Sequence, residues 1–152
     1  MPVVSNSSPL IALAQIEQLD LLPTLFQSIA IPPAVGAEIA RTVGELPWLR
    51  VEHLKEALPR AVERPSLGAG EREAIALAAE LHADWLIVDD LPARRVARSL
   101  DLRVIGTVGV LLAAKRRALV PELRPLLDRL VAESFFIGPE LYAELLHLAE
   151  ES

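Results

Sequence analysis

The chain is predicted to fold as an α/β domain in three layers, with a central, mainly parallel sheet flanked by helices. Three observations point there. Val3-Val4, Ile29-Ala30-Ile31 and Trp85-Leu86-Ile87-Val88 are short apolar runs without polar alternation, as expected of strands covered on both faces. The stretches between them carry apolar residues at helical spacing. The two kinds of segment alternate, and repeated strand–helix–strand units build parallel sheets.

Val3-Val4-Ser5 reads as the first strand. Ser8 is placed to cap a helix that Pro9 opens, with Leu10, Ile11, Leu13, Ala14 and Ile16 as its apolar stripe. Leu19 to Phe26 forms a second, shorter helix, and the strand Ile29–Ile31 is stopped by Pro32-Pro33. A third helix runs through Val35, Ile39 and Ala40. Residues 44–66, with Pro47, Pro59 and Pro65, are irregular apart from a short strand near Val51. Gly68 and Gly70 precede a helix from Glu71 to His82 that is apolar enough at its centre to be buried on most sides. Then come the strand Trp85–Val88, a helix from Pro92 to Leu100, a strand at Leu102–Ile105, and a helix from Val108 to Arg117 that Gly106-Thr107 opens. Pro121 opens another helix to about Ala132, and Glu140 to Glu150 makes the last, in a helical extension over residues 138–151.

A chain of 152 residues, 52% apolar, is the size of one domain with a well-supplied core, and a single domain over 1–152 is expected. It has no cysteine, so disulfide frameworks and thiolate metal sites are excluded. No apolar run reaches the roughly 18 residues a membrane span needs. The opening Met1-Pro2-Val3-Val4-Ser5 has no basic region of the kind a signal peptide carries, so a cytoplasmic protein is expected. The net charge of −6 is unevenly spread. Residues 1–90 carry a net −7, residues 94–129 a net +6, and residues 130–152 five acids and no base. The basic segment, with Arg94, Arg95 and Arg98 at its start, is either a nucleic-acid-binding patch or the solvated faces of two helices.

In parallel sheets, ligands bind beyond the carboxyl ends of the strands. Three of the expected strand ends carry short polar residues: Ser5-Asn6-Ser7-Ser8, Asp89-Asp90 and Gly106-Thr107. Glu38, in the third helix, and Glu71, with Glu73 two residues on, are further acids able to join them. Clustered carboxylates repel one another unless a cation or a proton intervenes. Hard cations such as Mg²⁺ and Mn²⁺ take one or two carboxylates plus water and phosphate oxygens. Each residue also has an ordinary structural use: Asn6, Asp90 and Thr107 as helix caps, Glu71 as a first-turn anion, Glu38 as an exposed helical acid. His53, His82 and His147 lack metal-ligand spacing, and Gly68-Ala69-Gly70 lacks the third glycine of a dinucleotide loop.

Five motifs in order then carry a resemblance. They are Val3-Val4-Ser5-Asn6-Ser7-Ser8-Pro9-Leu10-Ile11; Ile31-Pro32-Pro33-Ala34-Val35 leading to Glu38; Leu67-Gly68-Ala69-Gly70-Glu71 leading to Ala74–Ala78; Leu86-Ile87-Val88-Asp89-Asp90 with Ala93–Ala97; and Val104-Ile105-Gly106-Thr107. From residue 3 to about 130 the chain resembles PIN-like domains related to the toxin ribonucleases of VapBC-type toxin–antitoxin pairs. The resemblance implies a PIN-like fold, a Mg²⁺- or Mn²⁺-dependent ribonuclease site of three or four acids, frequent homodimers, and for some members a small antitoxin partner. Carried over by position, Glu38 matches the second acid, Glu71 or Glu73 the third, and Asp90 the fourth, with Asp89 beside it. Asn6 stands where typical members have their first aspartate, which marks a divergent subfamily with one less negative charge in the pocket.

The leading reading is therefore a divalent-metal-dependent endoribonuclease, the toxin of a toxin–antitoxin pair in one version. Asn6, Glu38, Glu71 and Asp90 would hold the metal, and Asp89 would ligate it or orient water. Ser7 and Thr107 would contact metal-bound water or phosphate, while Arg94, Arg95 and Arg98 bind the RNA backbone. The alternative is a catalytically inactive PIN-like module that binds RNA or a protein partner, with Asn6 as its main support. A phosphoacceptor domain fits poorly, because such domains want an acidic pair after the first strand, where this chain has Asn6.

Overall fold

The structure, a computed structural model, describes residues 2–151. A five-stranded sheet, all parallel, has the order β3-β2-β1-β4-β5. The strands are β1 (Val3–Ser5), β2 (Ile29–Ile31), β3 (Leu49–Val51), β4 (Trp85–Ile87) and β5 (Val104–Ile105). β1 lies at the centre because all three of its residues are buried, as are those of β2. Its register sets Val3, Val4 and Ser5 beside Trp85, Leu86 and Ile87. The chain winds from β1 to β2 and β3 in one direction, then crosses to β4 and β5 in the other. The order thus reverses between β1 and β4, and the crevice beyond their carboxyl ends is the place where such sheets bind ligands.

The helices are α1 (Ser7–Gln15), α2 (Leu21–Phe26), α3 (Pro33–Ile39), α4 (Ala69–Glu80), α5 (Leu91–Ser99), α6 (Thr107–Arg116), α7 (Arg124–Ala132) and α8 (Pro139–Leu148). α4 packs against α3 and α5, and α6 packs against α1, α2 and α8. The mid-helix residues Ala74 to Ala78 of α4 are all buried, as its composition predicts. Leu10, Leu13, Ile16, Ile75, Leu77, Ile87 and Leu111 are completely enclosed in the core between the layers.

Several expected boundaries move. Ser8 is exposed and does not cap α1; the cap position belongs to Asn6, two residues earlier. α4 starts at Ala69 rather than Glu71, because Glu71 reaches back to accept the Gly68 backbone N–H at 2.8 Å and so closes the first turn itself. α6 begins at Thr107 with Gly106 as its cap, and α7 begins at Arg124 rather than near Pro121. Residues 44–66 hold β3 and a short 3₁₀ turn at Arg60–Val62. Glu80 fastens this stretch by accepting the Lys55 and Glu56 N–H groups at 2.9 and 3.0 Å. The helical extension is fastened likewise. Glu151 accepts from the backbone of Leu123 and Arg124 at 2.6 and 3.1 Å and pairs with Lys115 at 3.1 Å. Among the described residues, no helix is long and apolar enough to cross a membrane.

Candidate functional site

Three strand ends meet beyond β1, β4 and β5. The Asn6 N–H donates to Ile87 O at 2.9 Å, which ties the end of β1 to the end of β4. Asn6 occupies the cap position of α1, yet its side chain makes no capping bond. It is only 3% exposed, and its Oδ1 is enclosed with no donor. A buried amide oxygen without a donor is uncommon in a folded protein and calls for a partner. Next to it, the Ser7 hydroxyl donates to Glu38 Oε1, which holds the α3 carboxylate against the start of α1.

Glu38 reaches this position because residue 70 is glycine. A Cβ there would run into the Glu38 carboxyl group, and at 3.0 Å would crowd even its Cδ. The two helices are also locked together by Glu73, which accepts the Ala34 N–H at 3.0 Å. The first turn of α3 lacks a side-chain cap of its own, so this carboxylate satisfies one of its free N–H groups. Of the two candidates for the third acid, Glu73 is thus engaged with α3, while Glu71 faces Asp90 and Glu38. Burial lifts the Glu71 carboxyl above its ordinary range. The Gly68 N–H opposes that, and the Asp90 charge, a hydrogen bond with Asp90 and the Glu38 charge add to it. The Asp90 carboxylate is thus one of the causes that hold the Glu71 carboxyl up.

Asp90 is the cap of α5, where its Oδ2 accepts the Ala93 N–H at 3.2 Å. Asp89 points elsewhere. Its two oxygens accept from the Thr107 backbone N–H at 2.7 Å and the Thr107 hydroxyl at 2.6 Å. Burial raises the Asp89 carboxyl, and the two Thr107 hydrogen bonds and the Arg94 charge pull it back down. Gly106 admits this arrangement, because a Cβ there would lie 2.7 Å from Asp89 Oδ1 and 2.9 Å from Arg94 Nη1. Asp89 and Thr107 thus form a brace between the end of β4 and the start of α6. Thr107 is fully buried, and its hydroxyl is engaged with Asp89.

The basic segment is divided by the fold. Arg94 is half-buried beside Asp89, whereas Arg95 and Arg98 are exposed on α5. Arg103 lies over the Trp85 ring at 4.2 Å, at the amino ends of the strands and far from the acids. Lys115 and Arg129 are paired with Glu151 and Glu17. Charge patterning did not single out Gly70 or Gly106; the signal for both was a glycine one residue before an acid or a helix-opening threonine.

Asn6, Glu38, Glu71 and Asp90 present only oxygen donors, and the unpartnered Oδ1 of Asn6 fits a hard cation. Among the described residues, no three acidic or imidazole side chains are drawn close enough to form a finished metal cage. The set is thus chemically suited to a cation but open in geometry.

A family model described as DUF3368: PIN domain matches residues 2–151. Among solved structures, the chain is similar to a PilT N-terminus domain protein from the hyperthermophilic archaeon Sulfolobus solfataricus P2. That match has 19% identity and a TM-score of 0.60, and covers 75% of this chain and 93% of the other. At that identity it speaks for the fold. No curated protein matches the chain.

Proposed function

The chain belongs to the DUF3368 family of PIN domains, and from that membership we propose that it is a Mg²⁺- or Mn²⁺-dependent endoribonuclease. The observation that carries the reading is the buried, unpartnered Oδ1 of Asn6 at the strand-end crevice, next in the chain to the serine that holds Glu38, with Glu71 in the field of Asp90 and Glu38. These four residues would hold the metal, which when bound would acidify a water molecule and screen the charge of the scissile phosphate. Ser7 positions the Glu38 carboxylate, and the Gly68 N–H positions that of Glu71. Arg95 and Arg98, exposed on the helix that Asp90 caps, would bind the RNA backbone. The resemblance to VapC-type toxins supports a toxin role in the cytoplasm, as a homodimer neutralised by a small antitoxin.

Asn6 also supports a second reading, a PIN module that binds RNA or a protein without cutting. An amide ligates a hard cation without contributing charge, so affinity is lower than an aspartate would give. The two readings separate in a manganese titration read as melting temperature. At a hundredfold excess over the dissociation constant, a bound ion is worth about 2.7 kcal/mol, or roughly 5–10 °C for a domain of this size. No shift with either ion at millimolar concentration favours the second reading.

Gly70→Ala gives a sharper version of this test. The methyl group displaces only the end of the Glu38 side chain, and alanine suits a helix better than glycine. Stability in EDTA is expected to stay within about 1 kcal/mol of wild type, while most of the manganese-induced shift disappears. A full shift in Gly70→Ala would remove Glu38 from the metal site.

A further inference from the structure

From Asp90 a groove leads away from the other three metal-holding residues. It has a volume of about 470 Å³ and runs between the outer face of α1, with Ser8, Ile11 and Gln15, and the turn after α7, with Phe135 and Phe136. Asp89 and Asp90 also line it. The turn is fixed by backbone geometry. Ser134 adopts a left-handed conformation (φ 68°), its N–H donates to Val131 O at 3.0 Å, and the Phe135 N–H donates to Leu130 O at 2.9 Å. Phe135 is thereby turned half into the core, while Phe136 is left 88% exposed. An aromatic ring so exposed, on a rigid turn and beside a polar groove, is a contact surface rather than core.

We infer that this groove is a nucleobase subsite in which the Phe136 ring stacks on an unpaired base of the RNA next to the scissile phosphate. The inference rests on the nuclease reading, since it is the acids that place the phosphate. A phosphate at Asp90 brings a flanking nucleotide to the mouth of the groove. The volume is at the small end of ligand pockets, of the order that a single nucleotide fills. Asp89 and Glu133, the lining acids outside the metal-holding set, repel phosphates. The part of a nucleic acid that enters is therefore a neutral base, with Ser8 and Gln15 able to hydrogen-bond its edge. The same acids disfavour a second copy of the chain seated groove to groove, because that contact would set one acid-lined wall against another. Every base has a stacking face, so the subsite selects single strands over duplexes more than it selects a sequence.

The test is equilibrium binding of a labelled single-stranded RNA, and of the same RNA annealed to its complement, in calcium to suppress cleavage. Wild type is compared with Phe136→Ala, Phe136→Trp and, as a control outside the groove, Leu91→Ala. Phe136→Ala is expected to bind the single strand about tenfold more weakly and the duplex unchanged, whereas Phe136→Trp and Leu91→Ala bind as wild type does. Equal binding of the single strand by Phe136→Ala and a wild type that cuts RNA removes the subsite and leaves the nuclease reading intact. A wild type that binds but does not cut, with the Phe136→Ala loss present, keeps the subsite and removes the nuclease reading. A change of oligomeric state in Phe136→Ala with RNA binding unchanged assigns the ring to self-association and overturns the inference. A wild type that binds no RNA overturns both.

Discussion

Asp90→Asn is expected to reduce the single-turnover rate of RNA cleavage by about a thousandfold, because several kcal/mol of charge stabilisation go with the metal. It is expected to do so without unfolding anything. Asparagine caps a helix as well as aspartate does, and an asparagine Oδ1 can still accept the Ala93 N–H that Asp90 accepts at 3.2 Å. The change also relieves Glu71 of a like-charged neighbour, one of the causes that hold its carboxyl above the ordinary range. The melting temperature in EDTA should therefore stay level or rise while activity falls. Cleavage by Asp90→Asn at the wild-type rate would mean that Asp90 is a helix cap and nothing more.

The neighbouring acid is expected to behave in the opposite way. Asp89→Ala leaves the Thr107 N–H and hydroxyl without acceptors in a fully buried position. Each stranded buried donor costs about 1–3 kcal/mol, so a loss of about 3 kcal/mol is expected, with groove water meeting part of the demand. It should appear as a lower urea midpoint at unchanged slope. Asp89→Asn keeps one carbonyl for the Thr107 N–H, and its amide can donate to the Thr107 hydroxyl, so a smaller loss is expected. If Asp89→Ala instead kept full stability and lost cleavage, Asp89 would belong to the metal site, the role the sequence first suggested for it.

This contrast shows where the sequence was legible. Short apolar runs and helical stripes in alternation were enough for the parallel α/β fold, because strands buried on both faces, as β1 and β2 are, carry no polar alternation. The position of Asn6 and Asp90 at the crevice followed from the rule for strand ends. What adjacent acids do was not legible. Asp89 and Asp90 differ by one residue, and only the pairing of Ile87 with Ile105 brings Thr107 within reach of the first of them. Glu71 and Glu73 differ by two, and only the packing of α3 on α4 gives Glu73 a backbone N–H to satisfy. The basic segment spans three helices and a strand. In sequence its charges read either as one patch or as the solvated faces of two helices; they fold to opposite ends of the sheet and into internal pairs. The exposure of Phe136 depends on the turn that sends Phe135 the other way.

If Asn6, Glu38, Glu71 and Asp90 hold a divalent ion, RNA cleavage depends on that ion and on Asp90. The most direct measurement is cleavage of a mixed panel of labelled RNAs by pure wild-type protein in Mn²⁺, in Mg²⁺ and in EDTA, with Asp90→Asn alongside. Wild type is expected to cut with a divalent ion and not in EDTA, and Asp90→Asn to lose nearly all cutting. Intact RNA across the whole panel with both ions would contradict this and leave a PIN module that binds without cutting.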